Sequence, residues 1–389
     1  MTKKWSSRLT FFAFVVLMVG LGSNDSLRGI FSTIFQEHFS LTTTQLGLIV
    51  TASYIGNLVF LLVGGNLSTR FSKKRVLQVL ILIWMAALAL FAFTSNYTVL
   101  LIGMALALGS STLLNTTMNL ITPLLFATAP GFFVNFLFFT QEIGTSGSQY
   151  ILGSHADGFA FWQHTNLVLL ILGAVAFVLL LFCNVPEEAA APADAPAQKG
   201  GYDWRIIVPY VLVFGFYFIA EHGVMNWMVA YGVDGLGLPQ ASAAKYLSVF
   251  FGGMMIGRLC LSPLVDKLGA LKSLAAFGGV SCVLYLTGSL GGAVTMPVWA
   301  ISGLSFSILY PTLVMSIRLY FPAQQVSGAA GTILSIASLA DILFNVGFGK
   351  LVDMTGYAVS IRVLPLSALA FFIVFMLFTK FCKPTQKLK

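Results

Sequence analysis

Charge is scarce in this chain. Only 9% of its 389 residues are Asp, Glu, Lys or Arg, against about 25% in soluble domains. A water-soluble fold of this length could not cover its own surface with so few polar groups, so an ordinary soluble globule is excluded. Cysteine is scarce too. Cys183, Cys260, Cys282 and Cys382 are scattered through apolar runs, with no C-x-x-C pair and no histidine nearby. That excludes a disulfide scaffold and a zinc ribbon, and we read them as reduced packing residues. No G-x-x-x-x-G-K-[ST] stretch occurs, so ATP is not expected to drive any process here. Neither a metal-ligand cluster nor a Ser/His/Asp or Cys/His constellation is placed for aqueous chemistry. The expectation is therefore no enzyme, no cofactor and no metal.

Apolar residues make up 58% of the chain, with 37 glycines and 35 phenylalanines. Glycine lets membrane helices approach closely, and phenylalanine suits lipid contact. A helix needs about 20 apolar residues to cross the hydrocarbon core. Twelve runs qualify: 9–35, 44–68, 76–94, 98–122, 131–153, 165–184, 205–231, 243–264, 272–292, 296–320, 327–350 and 358–380. The first run is preceded by Lys3, Lys4 and Arg8 and has no small-residue cleavage site after it, so it reads as a span and not a leader. The one break in composition is the Ala/Pro-rich polar stretch from Pro186 to Asp203. It divides the chain into bundles at 1–185 and 204–389, joined by a linker at 186–203. The lipid bilayer is the partner that this pattern demands.

Basic residues set the orientation. With the N-terminus inside, 16 of the 21 Lys and Arg fall on the cytoplasmic side, among them Arg70, Lys73, Lys74 and Arg75 after the second span and Lys267 and Lys272 after the eighth. Both termini and the linker are then cytoplasmic. The net charge of +8 follows from this topology, so no nucleic-acid partner is expected.

The two halves echo each other. An offset of 197 puts Asn24-Asp25 on Glu221-His222, Gly56 on Gly253 and Thr69 on Asp266. The ends of spans 5 and 11 repeat as Gly153 to Asp157 and Gly349 to Asp353. Three echoes at corresponding places point to duplicated six-helix halves.

Four of the 13 acids lie well inside apolar runs: Asp25, Glu142, Glu221 and Asp341. An acid there costs about 2.5–3.5 kcal/mol or more to insert, so it usually faces a cavity and has a task. Asp25 is the first candidate for proton coupling; the alternative is a structural pair with Arg28, three residues on. Glu221 reads as a proton relay or substrate contact, or else as a helix-packing hydrogen bond. His222 points about 100° away from it, as the helical period requires, and reads as structural. Glu142 and Gln141 lie mid-span on span 5. Asp341 and Asn345 share a face of span 11, and Asn115 and Asn119 share one on span 4. Asn24, Asn115, Asn119, Gln141, Asn226, Trp227, Asp341 and Asn345 form the candidate substrate-binding set, since sugars offer hydroxyls to amides and apolar ring faces to aromatics. Tyr231 reads as part of the interfacial belt, and Tyr310-Pro311 as a kink in span 10.

The segments after spans 2 and 8 resemble the loop signature of the major facilitator superfamily, G-x-L-x-D-R-x-G-R-[KR]. The second copy keeps the acid and the glycine as Asp266 and Gly269, whereas the first has Thr69 and Ser72 there and keeps the basic cluster. Arg70, Asp266 and Gly269 are the implied gating-loop residues. Other motifs resemble the fucose–galactose–glucose proton symporters: Gly20 to Asp25 as G-x-x-x-N-D, Phe39 to Gly47 as F-S-L-T-x-x-Q-x-G, Ala220, Glu221, Trp227 and Tyr231 on span 7, Gly253 to Arg258 as G-x-x-x-G-R, Gly303 with Tyr310-Pro311-Thr312, and Gly349 to Gly356. One departure is Asn115, which stands where the fucose permease pattern has an acid; Glu142 is an additional acid. The resemblance implies an all-α membrane protein of twelve transmembrane helices with the major facilitator fold in two six-helix pseudo-symmetric halves. It implies a monomer in the inner membrane that moves a small solute, a sugar first, by proton-coupled alternating access. A proton-driven efflux antiporter of small organic compounds shares the fold and the acids and stays open, as does sodium coupling.

Overall fold

The computed structural model describes residues 3–126, 130–183, 185 and 202–384, without the side chains of 3–5, 63–70, 130–132, 135, 266, 323, 324 and 327. The predicted linker at 186–203 therefore lies outside the described residues except for Tyr202 and Asp203. The chain divides into two compact units, Met1–Ala195 and Pro196–Lys389.

The first unit contains α1 (Lys3–Ile30), α2 (Ser32–Phe39), α3 (Thr43–Arg70), α4 (Lys73–Phe93), α5 (Tyr97–Leu125), α6 (Pro130–Ile151) and α7 (Phe159–Leu181). The second contains α8 (Trp204–Ala230), α9 (Gln240–Leu268), α10 (Ala270–Leu290), α11 (Met296–Ile301), α12 (Gly303–Phe306), α13 (Leu309–Ser316), α14 (Ala323–Thr355), α15 (Tyr357–Ser360) and α16 (Val363–Phe381). Eleven helical stretches among the described residues are long and apolar enough to cross a membrane. The predicted fifth span corresponds to α6, part of which lies outside the described side chains.

Local chemistry sets the boundaries. The first predicted run, 9–35, is two helices: α1 stops at Ile30 and α2 restarts at Ser32. Ser40 ends α2 in the left-handed region at φ 52°, its amide donating back to the carbonyls of Gln36 and Glu37. The F-S-L-T-x-x-Q stretch then opens α3 with a capping box. The Thr42 amide donates to Gln45 Oε1 at 2.9 Å, and the Gln45 amide to Thr42 Oγ1 at 3.2 Å. The two loop-signature copies turn differently. Ser72 caps α4 by accepting from the Arg75 amide, whereas Gly269 turns between α9 and α10 at φ 81°, ψ 156°, a region essentially restricted to glycine. Pro311 has no amide proton to give the carbonyl four residues back, and the tenth span breaks into α12 and α13 across Ser307 and Ile308.

Within the first unit α1 packs on α6 and α7, α3 on α5, and α4 on α5 and α7. Within the second α8 packs on α14 and α16, α9 on α11 and α12, and α10 on α11 and α16. The same order of partners recurs. The echoed glycines mark equivalent close approaches. A Cβ on Gly56 would meet the backbone of Ala105 on α5, and a Cβ on Gly253 would meet that of Leu304 on α12. Gly22 and Gly144 close the α1–α6 contact in the same way, against the backbone of Gln141 and Val19. The outward faces carry large apolar side chains in the open: Leu62 is 65% exposed, Val168 63% and Leu343 74%. Only an apolar solvent accommodates that surface.

Candidate functional site

In the first unit the polar groups gather where α1, α5 and α6 meet. Asp25 on α1 accepts a hydrogen bond from Ser111 Oγ of α5 at 3.0 Å, and one from the side-chain amide of its neighbour Asn24 at 3.3 Å. Asn24 is itself buried. Arg28, also buried, lies close enough for its charge to act on the Asp25 carboxylate, and its guanidinium sits over the Tyr54 ring at 5.6 Å. Asp25 thus has both Arg28 nearby and a hydroxyl donor from a second helix.

A chain of amides runs from α5 to α6. Asn119 Nδ2 donates to Asn115 Oδ1 at 2.6 Å, and Asn115 Nδ2 donates to Gln141 Oε1 at 2.6 Å. The i, i+4 spacing brings the first pair together, and the α5–α6 crossing brings in the third member. The chain leaves the Gln141 amide NH2 as a donor at one end. Asn119 Oδ1, buried and without a hydrogen-bond partner, is an acceptor at the other. Glu142 lies half-buried beside Gln141.

In the second unit α8 and α14 face each other. Trp227 Nε1 donates to Asn345 Oδ1 at 2.9 Å, and the side-chain amide of Asn226 approaches the same oxygen at 3.5 Å. Asn345 Nδ2 donates to the Asp341 carbonyl at 2.8 Å. Asp341 does not use its carboxylate on Asn345; the carboxylate lies 2.7 Å from Nδ1 of His222. His222, read from the sequence as structural, is therefore joined to one of the four intramembrane acids. Glu221 is buried on the same helix. Together with Arg258 of α9 it acts electrostatically on the hydroxyls of Tyr217 and Tyr310.

Four of these residues were not among the candidate site residues. Ser111 is one serine in an apolar run, Tyr217 looks like a core aromatic, Tyr310 was read only as part of a kink and a motif, and Arg258 appeared only within a motif. Tyr231 requires a correction. It was expected in the interfacial belt, yet it is only 4% exposed and packs against Trp299 and Tyr357, because α8 continues past it in a wider turn to Gly235. Trp227 is fully buried. The side chains of Arg70 and Asp266 lie outside the described residues. Among the described residues, no group of three or more His, Cys, Asp or Glu is placed to hold a metal ion.

The family profile of the Major Facilitator Superfamily matches residues 10–344. The chain belongs to that superfamily. Among curated relatives of this Major Facilitator Superfamily protein is the L-fucose-proton symporter of Escherichia coli (strain K12), 23% identical over 333 residues, covering 74% of this chain and 75% of the relative. The glucose/galactose transporter of Brucella abortus biovar 1 (strain 9-941) is 27% identical over 345 residues, covering 82% and 81%. The crystal structure of a D-xylose-proton symporter superposes with a TM-score of 0.77 at 15% identity, covering 99% of each chain; that likeness establishes the fold. The chain is therefore a multi-pass membrane transporter and not an enzyme.

Proposed function

We propose that this transporter is a symporter of protons and a small sugar, working by alternating access as a monomer in the inner membrane with both termini cytoplasmic. One observation carries the reading: the Asp25 carboxylate, inside an apolar helix, is held by Ser111 of a second helix and by Asn24. A carboxylate in that setting is the group whose charge a single proton removes most cheaply. Glu221 and Glu142 are the next candidates for coupling. The Asn119–Asn115–Gln141 chain supports a hydroxyl-rich substrate, because it ends in one donor and one acceptor. Asn24, Asn226, Trp227, Asp341 and Asn345 complete the candidate binding set. The relatives named for fucose and for glucose and galactose agree with a sugar.

The test is uptake of a panel of labelled sugars into proteoliposomes under an imposed inward proton gradient. Accumulation of at least one sugar that collapses with a protonophore is expected. Export of dye from loaded vesicles without sugar accumulation would favour the efflux antiporter instead. Accumulation driven by sodium alone would move the coupling ion.

A further inference from the structure

We propose that His222 and Asp341 form a second proton-binding site, separate from Asp25. One proton, entering through His222, makes the pair neutral as a whole. Asp341 is 2% exposed, while the side chain of His222 is 25% exposed. The carboxylate is sealed, and the imidazole is its path to the surroundings. One carboxylate oxygen, Oδ2, meets His222 Nδ1 at 2.7 Å. The other, Oδ1, is buried and makes no hydrogen bond. A buried anion with one oxygen bare is costly unless a positive charge stands against it. With a neutral imidazole the pair carries one negative charge in an apolar setting. One proton taken from water makes the pair neutral overall, as imidazolium and carboxylate or with the proton shared between them.

The ring of Phe218 stacks on His222, with centroids 5.2 Å apart and planes 8° from parallel, which fixes the imidazole in place. On α8 the neighbouring titratable groups are Glu221 and Tyr217. From α9 comes Arg258, and from α13 comes Tyr310, which packs on Phe218. Arg258 and Glu221 are opposite charges acting on the same tyrosine hydroxyls. On α14 the next charged residues are Lys350 and Asp353, more than two turns away along the helix, and α16 has none between its Arg362 cap and Lys380. A hydrogen bond that only fastened α8 to α14 would need no carboxylate, because asparagine would serve.

Titration of the full-length protein with 15N-labelled histidine tests this. The chain has four histidines, and the His222 signal is the one lost in His222→Gln. Between about pH 5 and about pH 9, His222 is expected to take up one proton, and Asp341→Asn should weaken that proton binding at least about tenfold. A change of less than about threefold would overturn the proposal. Should Asp341→Asn fail to fold, the parent's own titration decides: the His222 signal is expected to change protonation between about pH 5 and about pH 9, and a ring that stays neutral throughout overturns the site. A third arm rests on the transport reading. Sugar exchange without a gradient should fall at alkaline pH in the parent; an exchange rate that stays level from about pH 5 to about pH 9 counts against the site. A parent that exchanges no sugar would sink the transport reading, and the titration would still decide the pair.

Discussion

Ser111 on α5 donates its hydroxyl to Asp25 on α1 at 3.0 Å across a helix–helix contact. A hydrogen bond to a charged group contributes about 1.5–3 kcal/mol, and each 1.4 kcal/mol is tenfold in an equilibrium. Ser111→Ala is therefore expected to change the proton-binding equilibrium of Asp25 by about tenfold or more. The pH at which gradient-driven uptake is half-maximal should move by about one unit, whereas Ser111→Thr, which keeps the hydroxyl, should move it far less. Equal profiles for the alanine variant and the parent would show that the contact has no part in coupling.

The amide chain makes a graded prediction. Asn115→Asp keeps the acceptor for Asn119, and Gln141 needs only to turn its amide to donate to the new carboxylate. Asn115→Leu breaks both bonds. Substrate affinity should fall at least about tenfold in the leucine variant, as expected when buried polar partners are left unpaired, and less in the aspartate variant. Binding of the preferred sugar, measured calorimetrically on purified protein, checks the order; the reverse order would remove the chain from the site.

These two clusters show what the sequence reveals and what it hides. Spacing of four along one helix is visible, so Asn115 with Asn119 and Asp341 with Asn345 could be named as faces. Tyr310-Pro311 pointed to a helix kink through residue chemistry alone, whereas the capping box in the F-S-L-T-x-x-Q stretch, read from the sequence only as part of a resemblance, emerges in the structure. Contacts across helices leave no such trace. His222 and Asp341 are 119 positions apart, and Asp25 and Ser111 are 86 apart. The angle of 100° per residue correctly separated His222 from Glu221, but it could not say what His222 turns toward. Serine occurs throughout these helices donating to carbonyls three or four residues back, as Ser110 does to Leu106 and Ala107, so a serine that serves a carboxylate, as Ser111 does, is not distinguishable in one dimension.

Close packing of α1 on α6 predicts a folding defect. A Cβ on Gly22 or Gly144 would collide with backbone of the facing helix, which cannot move aside as a side chain can. Gly144→Val should abolish or sharply reduce the folded fraction recovered by gel filtration. Gly147→Ala, three residues on at a position with open space around it, should be tolerated. Equal recovery of both variants would mean that the contact is looser than described.

Topology can be checked with reporters. One fused after Gly200 should be cytoplasmic, and one in the loop at Asp157 external. Both on one side would contradict the orientation drawn from the basic residues. At the loop signature, Asp266→Asn should slow turnover with the protein still folded; parental turnover would make that loop a spacer only.

The central claim is that one proton on Asp25 drives accumulation. Asp25→Asn resembles a carrier fixed in its protonated form, able to bind substrate and change access but not to be driven. The decisive measurement compares two activities of this variant in the same proteoliposomes: accumulation under a proton gradient, and counterflow exchange of the same sugar with no gradient. The account predicts that accumulation is lost and exchange persists. Full accumulation in Asp25→Asn would contradict it and pass the coupling role to Glu221 or Glu142, and parallel loss of both activities with loss of folded protein would reduce Asp25 to a structural partner of Arg28.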